Sequence, residues 1–387
     1  MTLLVRFVAE PGISRAAIEA LVDEGDIWKA GGDWVVARLE TDLAELPVAD
    51  GVRAEILCDH VDDFIPAASV CAPGAYHSHA MLEEDMRALA ESAPDICSFE
   101  TIGRSFEGRT IPALRLGRQM PGANAALVVG CHLAREWISV EVPFHLARMM
   151  VERRADPLVA SLLENGDTWI VPMLNPDGHE FTRTQDRLWR KNRRVNSDGS
   201  IGVDLSRNYA VGWDASLAST LPTSSRFRGT APFSEPESLS IAALFARQIE
   251  ETGRPFTGML SYHAFSQVIL HPWSCTGASA HGLDGQLVRQ FAADMQDRLN
   301  EAGPRVYGLS RGTNPLRIGG EVGDWAYETY GTFCFTVELP PEPDSPYGFL
   351  LPADEIGSVV DQATPAAIHH LKELFALRRT DLAAVAE

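Results

Sequence analysis

Hydrophobic and polar positions change rhythm once along the chain, near residue 76. Before it the pattern is short and mixed. "LLVRFVA" alternates as a strand does, and "SRAAIEALVDEG" has the spacing of an amphipathic helix capped by Ser14. "DIWKAGGDWVVARLE" reads as two strands around a Gly-Gly-Asp turn, "TDLAEL" as a short helix and "VRAEILC" as a last strand. Together they predict a small α+β domain over residues 1–66 with a βαββαβ, ferredoxin-like order. The stretch "PAASVCAPGA" that follows has the small-residue and proline content of a linker, placed at 67–75.

From Tyr76 the pattern is α/β. A helix "SHAMLEEDMRALAESA" is followed by the apolar runs "PALRLG", "AALVVGC", "TWIVPML", "GMLSYHAF", "VILHPW" and "FCFTVEL", separated by longer helical stretches. This alternation predicts a mixed sheet with helices on both faces over 76–387. In such sheets active sites gather at the carboxyl ends of the central strands. His132 and Glu136 follow "AALVVG", His263 follows "GMLSY", and Glu338 ends "FCFTV". Two histidines and a carboxylate make a three-ligand zinc site with one position open for water, and a further carboxylate can serve as general base. Singly, each has a plainer explanation: a histidine near a strand end is more often a hydrogen-bonded structural residue, and a glutamate at a helix start favours the helix dipole. The combination is what points to a metal.

Composition narrows the partners. The 387 residues carry a formal charge of −20, which disfavours nucleic acid and anionic membrane, both polyanions. Residues 1–66 hold 14 acidic and 5 basic groups, a net of −9, so nearly half the excess charge lies in a sixth of the length. The six cysteines form no CxxC pair, so neither a zinc ribbon nor a redox dithiol is signalled. "MTLLVRFVAEPG" has no basic leader, and no apolar run approaches the roughly 20 residues that span a bilayer. The expectation is a soluble, cytoplasmic protein. The basic run "RTQDRLWRKNRR" alone would suggest nucleic acid, but within an acidic chain Arg183, Arg187 and Arg194 are expected to be solvated or ion-paired.

From Tyr76 to about Leu377 the chain resembles the zinc carboxypeptidases related to pancreatic carboxypeptidases A and B. The resemblance rests on "IGRSFEGRTIPALRLG", "AREWIS", "VPMLNPDGHEFTRTQDRLWRKNR", "GVDLSRN", "PFSEPES", "FTVELPP" and "YGFLLP", in the family's order and spacing. It implies an eight-stranded mixed sheet flanked by helices, a single zinc ion, and removal of single residues from peptide carboxyl ends. By the same resemblance Glu136 and His263 are zinc ligands, and Glu338 is the base and then acid. Arg190 stabilises the oxyanion, Arg207 clamps the substrate's terminal carboxylate, and Arg135 is an accessory contact. A bidentate guanidinium suits a carboxylate, and a second cation suits charge that develops in the transition state.

The family has histidine three residues before glutamate, whereas "HLARE" places His132 four before Glu136. Aligned on the strand, Gly130-Cys131-His132 supplies the third ligand. Aligned on the helix, Leu133 falls at the ligand position, and leucine has no lone pair for zinc. Ser206 replaces the asparagine that usually precedes the clamping arginine, a shorter substrate-binding group, and Leu316 falls where the family has a mobile tyrosine. Gly323 falls near the position lining the specificity pocket, with Glu321 and Arg317 close by. Two functions follow: a working metallocarboxypeptidase, or a zinc-poor relative that binds peptide carboxyl ends or hydrolyses another acyl bond. The amino-terminal domain resembles the family's pro-segment, but no Lys or Arg lies between Arg53 and Arg87, so a permanent domain is expected.

Overall fold

The computed structural model describes residues 2–14, 17–18, 21–22, 25–30, 33–47, 49–61, 75–119, 122–214, 218–276, 282–309, 318–343, 345 and 348–377. The expected linker, apart from Ala75, lies outside these residues, as do Leu316 and Arg317.

The first four strands are β1 (Thr2–Ala9), β2 (Asp26–Ala30), β3 (Trp34–Glu40) and β4 (Val52–Cys58). They form an antiparallel sheet in the order β2-β3-β1-β4, the arrangement a βαββαβ chain adopts. Of the first expected helix, Ala17, Ile18 and Leu21 are described and helical; the second is a single 3₁₀ turn, Leu43–Glu45. Strand alternation splits the side chains between two faces. Leu3, Val5 and Phe7 of β1, with Val35, Ala37 and Leu39 of β3, fill the small core. Leu4, Val36 and Trp28 turn the other way and meet Leu188, Phe349 and Leu350 of the large domain.

The large sheet comprises β5 (Cys97–Arg104), β6 (Thr110–Leu116), β7 (Asn124–Gly130), β8 (Gly166–Val171), β9 (Gly258–Ala264), β10 (Val268–Leu270), β11 (Gly308–Leu309) and β12 (Phe333–Leu339). Its order is β11-β10-β12-β9-β7-β8-β6-β5. The four central strands, β12, β9, β7 and β8, run parallel. The eight-stranded mixed sheet expected from the resemblance is therefore present. Among the described residues eight helices flank it: α1 (His79–Ser92), α2 (Ile138–Glu152), α3 (Pro157–Asn165), α4 (Pro176–Thr184), α5 (Pro236–Thr252), α6 (Gly282–Ala302), α7 (Val322–Tyr330) and α8 (Ile356–Ala376). Ser78 caps α1, its hydroxyl accepting from Met81 N at 3.2 Å.

Burial on both faces explains the continuous apolar runs. In β7, Ala126 and Val128 pack towards α2 and α8, while Ala125, Leu127 and Val129 pack towards α5 and α7. The same alternation runs through β12, where Phe333, Phe335, Val337 and Leu339 face α8 and Cys334 faces α7. Glu338 shares the Cys334 side, and His263 of β9 is its register partner. The period of two therefore brings these two polar residues together at the carboxyl ends of neighbouring strands.

Candidate metal and substrate site

The turn after β7 is held from several sides. Gly130 is needed there: a Cβ would stand 2.0 Å from Ser139 O, so the backbone of α2 could not come so close. Cys131 adopts a left-handed conformation (φ 55°), its N bonded to Ser139 Oγ at 3.0 Å. Asn175, which caps α4, donates from Nδ2 to His132 O at 3.1 Å, and Ala134 N donates to Arg190 O at 3.0 Å. These contacts deliver His132, Arg135 and Glu136 into one buried cleft; all three are 2% exposed or less.

Glu136 and His263 meet directly, Oε2 lying 3.1 Å from Nδ1. The other nitrogen of His263, Nε2, lies 3.1 Å from Ser261 Oγ. Burial works against a charged His263 ring, but the touching Glu136 carboxylate outweighs it and moves the pKa up to about 9. The His132 ring lies against His263, centres 5.4 Å apart and planes 22° from parallel. Its Nε2 is 3.0 Å from the Tyr209 hydroxyl, and its Nδ1 is buried with no hydrogen-bond partner among the described residues. Burial first, then His263, drives the His132 pKa well below the usual imidazole value, so this ring stays neutral. Burial likewise raises the Glu338 carboxyl above the ordinary range, with Glu136 adding to the effect and His263 opposing it.

The donors suit zinc in kind, two imidazoles and a carboxylate. The partnerless Nδ1 of His132 is the kind of buried nitrogen an ion would satisfy. As the side chains stand, no group of three or more His, Cys, Asp or Glu among the described residues could hold a metal ion. Glu136 and His263 are thus paired, and His132 lies beside them with one nitrogen unpartnered among the described residues.

The arginines are positioned by Asp204, which the sequence reading did not single out although it lies within "GVDLSRN". Arg190 reaches Asp204 Oδ2 from both Nε and Nη2 at 3.0 Å. Ser206 spends its only hydroxyl hydrogen on Asp204 Oδ1 at 2.7 Å, so towards Arg207 Nη1, 3.0 Å away, it is an acceptor. Arg207 is 8% exposed, and its Nε has no partner among the described residues; burial lowers its pKa to about 10, leaving it charged at neutral pH. Glu321 caps α7, accepting from Gly323 N at 3.0 Å, and takes the Thr336 hydroxyl at 3.0 Å. Of the basic run, Arg194 pairs with Glu235 as expected. Arg183 and Arg187 instead donate to backbone carbonyls, and Arg187 stacks 3.8 Å over Trp137.

Arg135 has a partner the sequence reading missed: Asp26 of β2, in the amino-terminal sheet. Asp26 also accepts from Trp28 Nε1 at 2.9 Å, and Trp28 stands edge-on to Phe349 with ring centres 5.4 Å apart. Gly25 O accepts from Ser225 Oγ at 3.3 Å. Strand β2 therefore lies on the rim of the cleft.

With this geometry in view, the kinship is direct. A family model described as zinc carboxypeptidase matches residues 82–366, and the chain belongs to that family. Carboxypeptidase B of Astacus astacus is 32% identical over 289 residues, covering 73% of this chain and 91% of that protein. An inactive metallocarboxypeptidase, ECM14, of Ajellomyces capsulatus is 27% identical over 399 residues, 88% of this chain and 65% of that protein. The crystal structure of thrombin activatable fibrinolysis inhibitor superposes with a TM-score of 0.80 at 24% identity, over 97% of this chain and 99% of the other, a likeness of fold that includes the small amino-terminal sheet.

Proposed function

We propose that this chain is a zinc-dependent metallocarboxypeptidase that hydrolyses the carboxyl-terminal peptide bond of peptides. The observation that carries the reading is the register pairing of His263 with Glu338 at two parallel strand ends, with Glu136 in contact with His263. One zinc ion would be held by His132, Glu136 and His263, and when bound it supplies Lewis acidity and an acidified water. The remaining work falls to the chain. Arg207, buried and charged, takes the free carboxylate of the substrate, where two parallel hydrogen bonds are available to a guanidinium. Arg190, locked on Asp204, faces the carbonyl oxygen with its orientation already fixed, which lowers the cost of stabilising charge there. Glu338, the register partner of His263, accepts a proton from the attacking water and returns it to the leaving amine.

Glu338→Gln keeps shape and loses the base. Turnover of a carboxyl-terminal peptide library should vanish while binding of a carboxylate inhibitor persists; retained turnover would overturn the assignment.

A second reading has its own support. Leu133 stands three residues before Glu136, and among the described residues three metal donors are not gathered as the side chains stand. A zinc-poor relative would bind peptide carboxyl ends through Arg207 without cutting them. Zinc content after supplementation separates the two: close to one ion per chain supports the peptidase, and well under one supports the binding protein.

A further inference from the structure

A groove of about 840 Å³ runs between the small domain and a loop of the large one. Its small-domain wall is apolar, made by Leu21, Leu39 and Pro47, and the facing wall carries Leu221. Leu221 is 47% exposed, a large apolar side chain left towards solvent. Its loop is braced from within: Leu221 N donates to Ser219 Oγ at 3.1 Å, Ser224 N to Leu221 O at 3.0 Å and Ser219 N to Arg226 O at 3.0 Å. The hydroxyl of Ser225 then ties the loop to Gly25 O of the small domain at 3.3 Å. The inner end of the groove is Asp26, the residue that meets Arg135 in the cleft. Charges mark the path from there to the proposed carboxylate site. The field of Arg190 reaches Asp26 on one side and Arg207 on the other, and Arg190 O takes the N–H of Ala134, next to Arg135. A peptide with its terminal carboxylate on Arg207 and its carbonyl oxygen at Arg190 therefore has its upstream residues directed past Arg135 and into the groove.

We propose that this groove binds the upstream part of the peptide, making the small domain part of substrate recognition and favouring peptides long enough to lay an apolar side chain against Leu221. The inference rests on the binding of peptide carboxyl ends proposed above and adds the class of peptide: extended chains with leucine- or phenylalanine-like residues upstream of the end. Two features carry it. The groove opens from the cleft at Asp26, so whatever leaves the cleft on that side meets it. Its walls offer apolar surface from both domains, and covering that surface takes it out of water.

The test uses the full chain carrying Glu338→Gln, so that peptides bind without being cut, and calorimetry with two probes: a tripeptide, and a longer peptide that ends in the same three residues with leucine and phenylalanine upstream. The longer probe should bind about tenfold more tightly, the scale of one partly buried apolar side chain. The same longer peptide with serines upstream should bind no better than the tripeptide. Leu221→Asp charges the wall at an exposed position. It should leave the melting temperature and the tripeptide's Kd as they were and abolish the advantage of length, while Leu221→Met should retain that advantage. Equal Kd values for the two probes overturn the inference, as does an advantage of length that survives Leu221→Asp. Turnover of the same probes by the wild type separates this inference from the reading beneath it. A wild type that cuts neither probe, while Leu221→Asp still abolishes the advantage of length in binding, overturns the peptidase and keeps the groove; probes that are neither cut nor bound overturn both.

Discussion

Arg207 shows how much of the site depends on one side chain's geometry. It is buried beside a second cation, Arg190, and both are balanced by Asp204. Its neighbour Ser206 donates only to Asp204, so under the proposed function recognition of a terminal carboxylate falls on the guanidinium itself. Lysine in its place would keep the charge and lose the planar fork. Under the proposed function, Arg207→Lys should weaken substrate binding by about 2 kcal/mol, roughly thirtyfold in KM. The loss should be specific: peptides ending in a free carboxylate should suffer, and the weak turnover of the same peptides ending in an amide should not. An equal effect on both would mean that Arg207 does not meet the terminal carboxylate.

At the scale of elements, two joints carry measurable consequences. The β7–α2 turn closes on Gly130, and Gly130→Ala would force a Cβ onto the Ser139 carbonyl. We expect a loss of about 1–3 kcal/mol in denaturant unfolding and, under the proposed function, weakened metal uptake, because the same turn delivers His132 and Glu136. The second joint ties residues 76–79 to α1, α2 and α4. His77 lies with Nδ1 2.7 Å from Glu141 on α2 and Nε2 3.1 Å from Asp85 on α1; His145 of α2 and His179 and Arg183 of α4 also adjoin it. Burial opposes its charge, but Glu141 and then Asp85 overcome it, so the folded pKa is raised above 6.5. The stability this gives is therefore complete below about pH 6.5 and lost as pH rises through the higher folded value. The gap in melting temperature between wild type and His77→Gln should be widest near about pH 5.5 and narrow towards about pH 9. A gap independent of pH would show that the ion pairs add nothing. These elements also mark what the sequence could reveal. The buried parallel strands were legible because both their faces are apolar. Strand β5 escaped because only Cys97 of its eight residues is buried, and β11 because it is two residues long. His263 and Glu338 were legible as strand ends. The Tyr209–His132 and Asp26–Arg135 contacts were not, since each joins residues far apart in sequence whose neighbours give no periodic signal.

The whole molecule places a small, acidic sheet against the mouth of the proposed site. Its outer face docks through Leu4, Val36 and Trp28 on Leu188, Phe349 and Leu350, and Asp26 supplies the ion pair at the centre of that contact. Arg135 is fully buried by this arrangement, with Nε and Nη2 unpartnered among the described residues, and it stacks 3.8 Å over Phe349. Burying a charge with some donors unmet costs energy, so Asp26 is what makes the docked position tolerable for Arg135. A substrate that needs Arg135 must compete with Asp26. Asp26→Ala should therefore loosen the docked sheet, free the cleft, and raise kcat/KM for short peptides under the proposed function. Higher salt should move the wild type in the same direction and the variant much less, since the screened pair is already absent there. No Lys or Arg stands between Arg53 and Arg87, so trypsin should not separate the two parts between those residues and should not reproduce the gain. Rates unchanged by both Asp26→Ala and salt would mean that the sheet leaves the cleft open as it stands and contributes only stability.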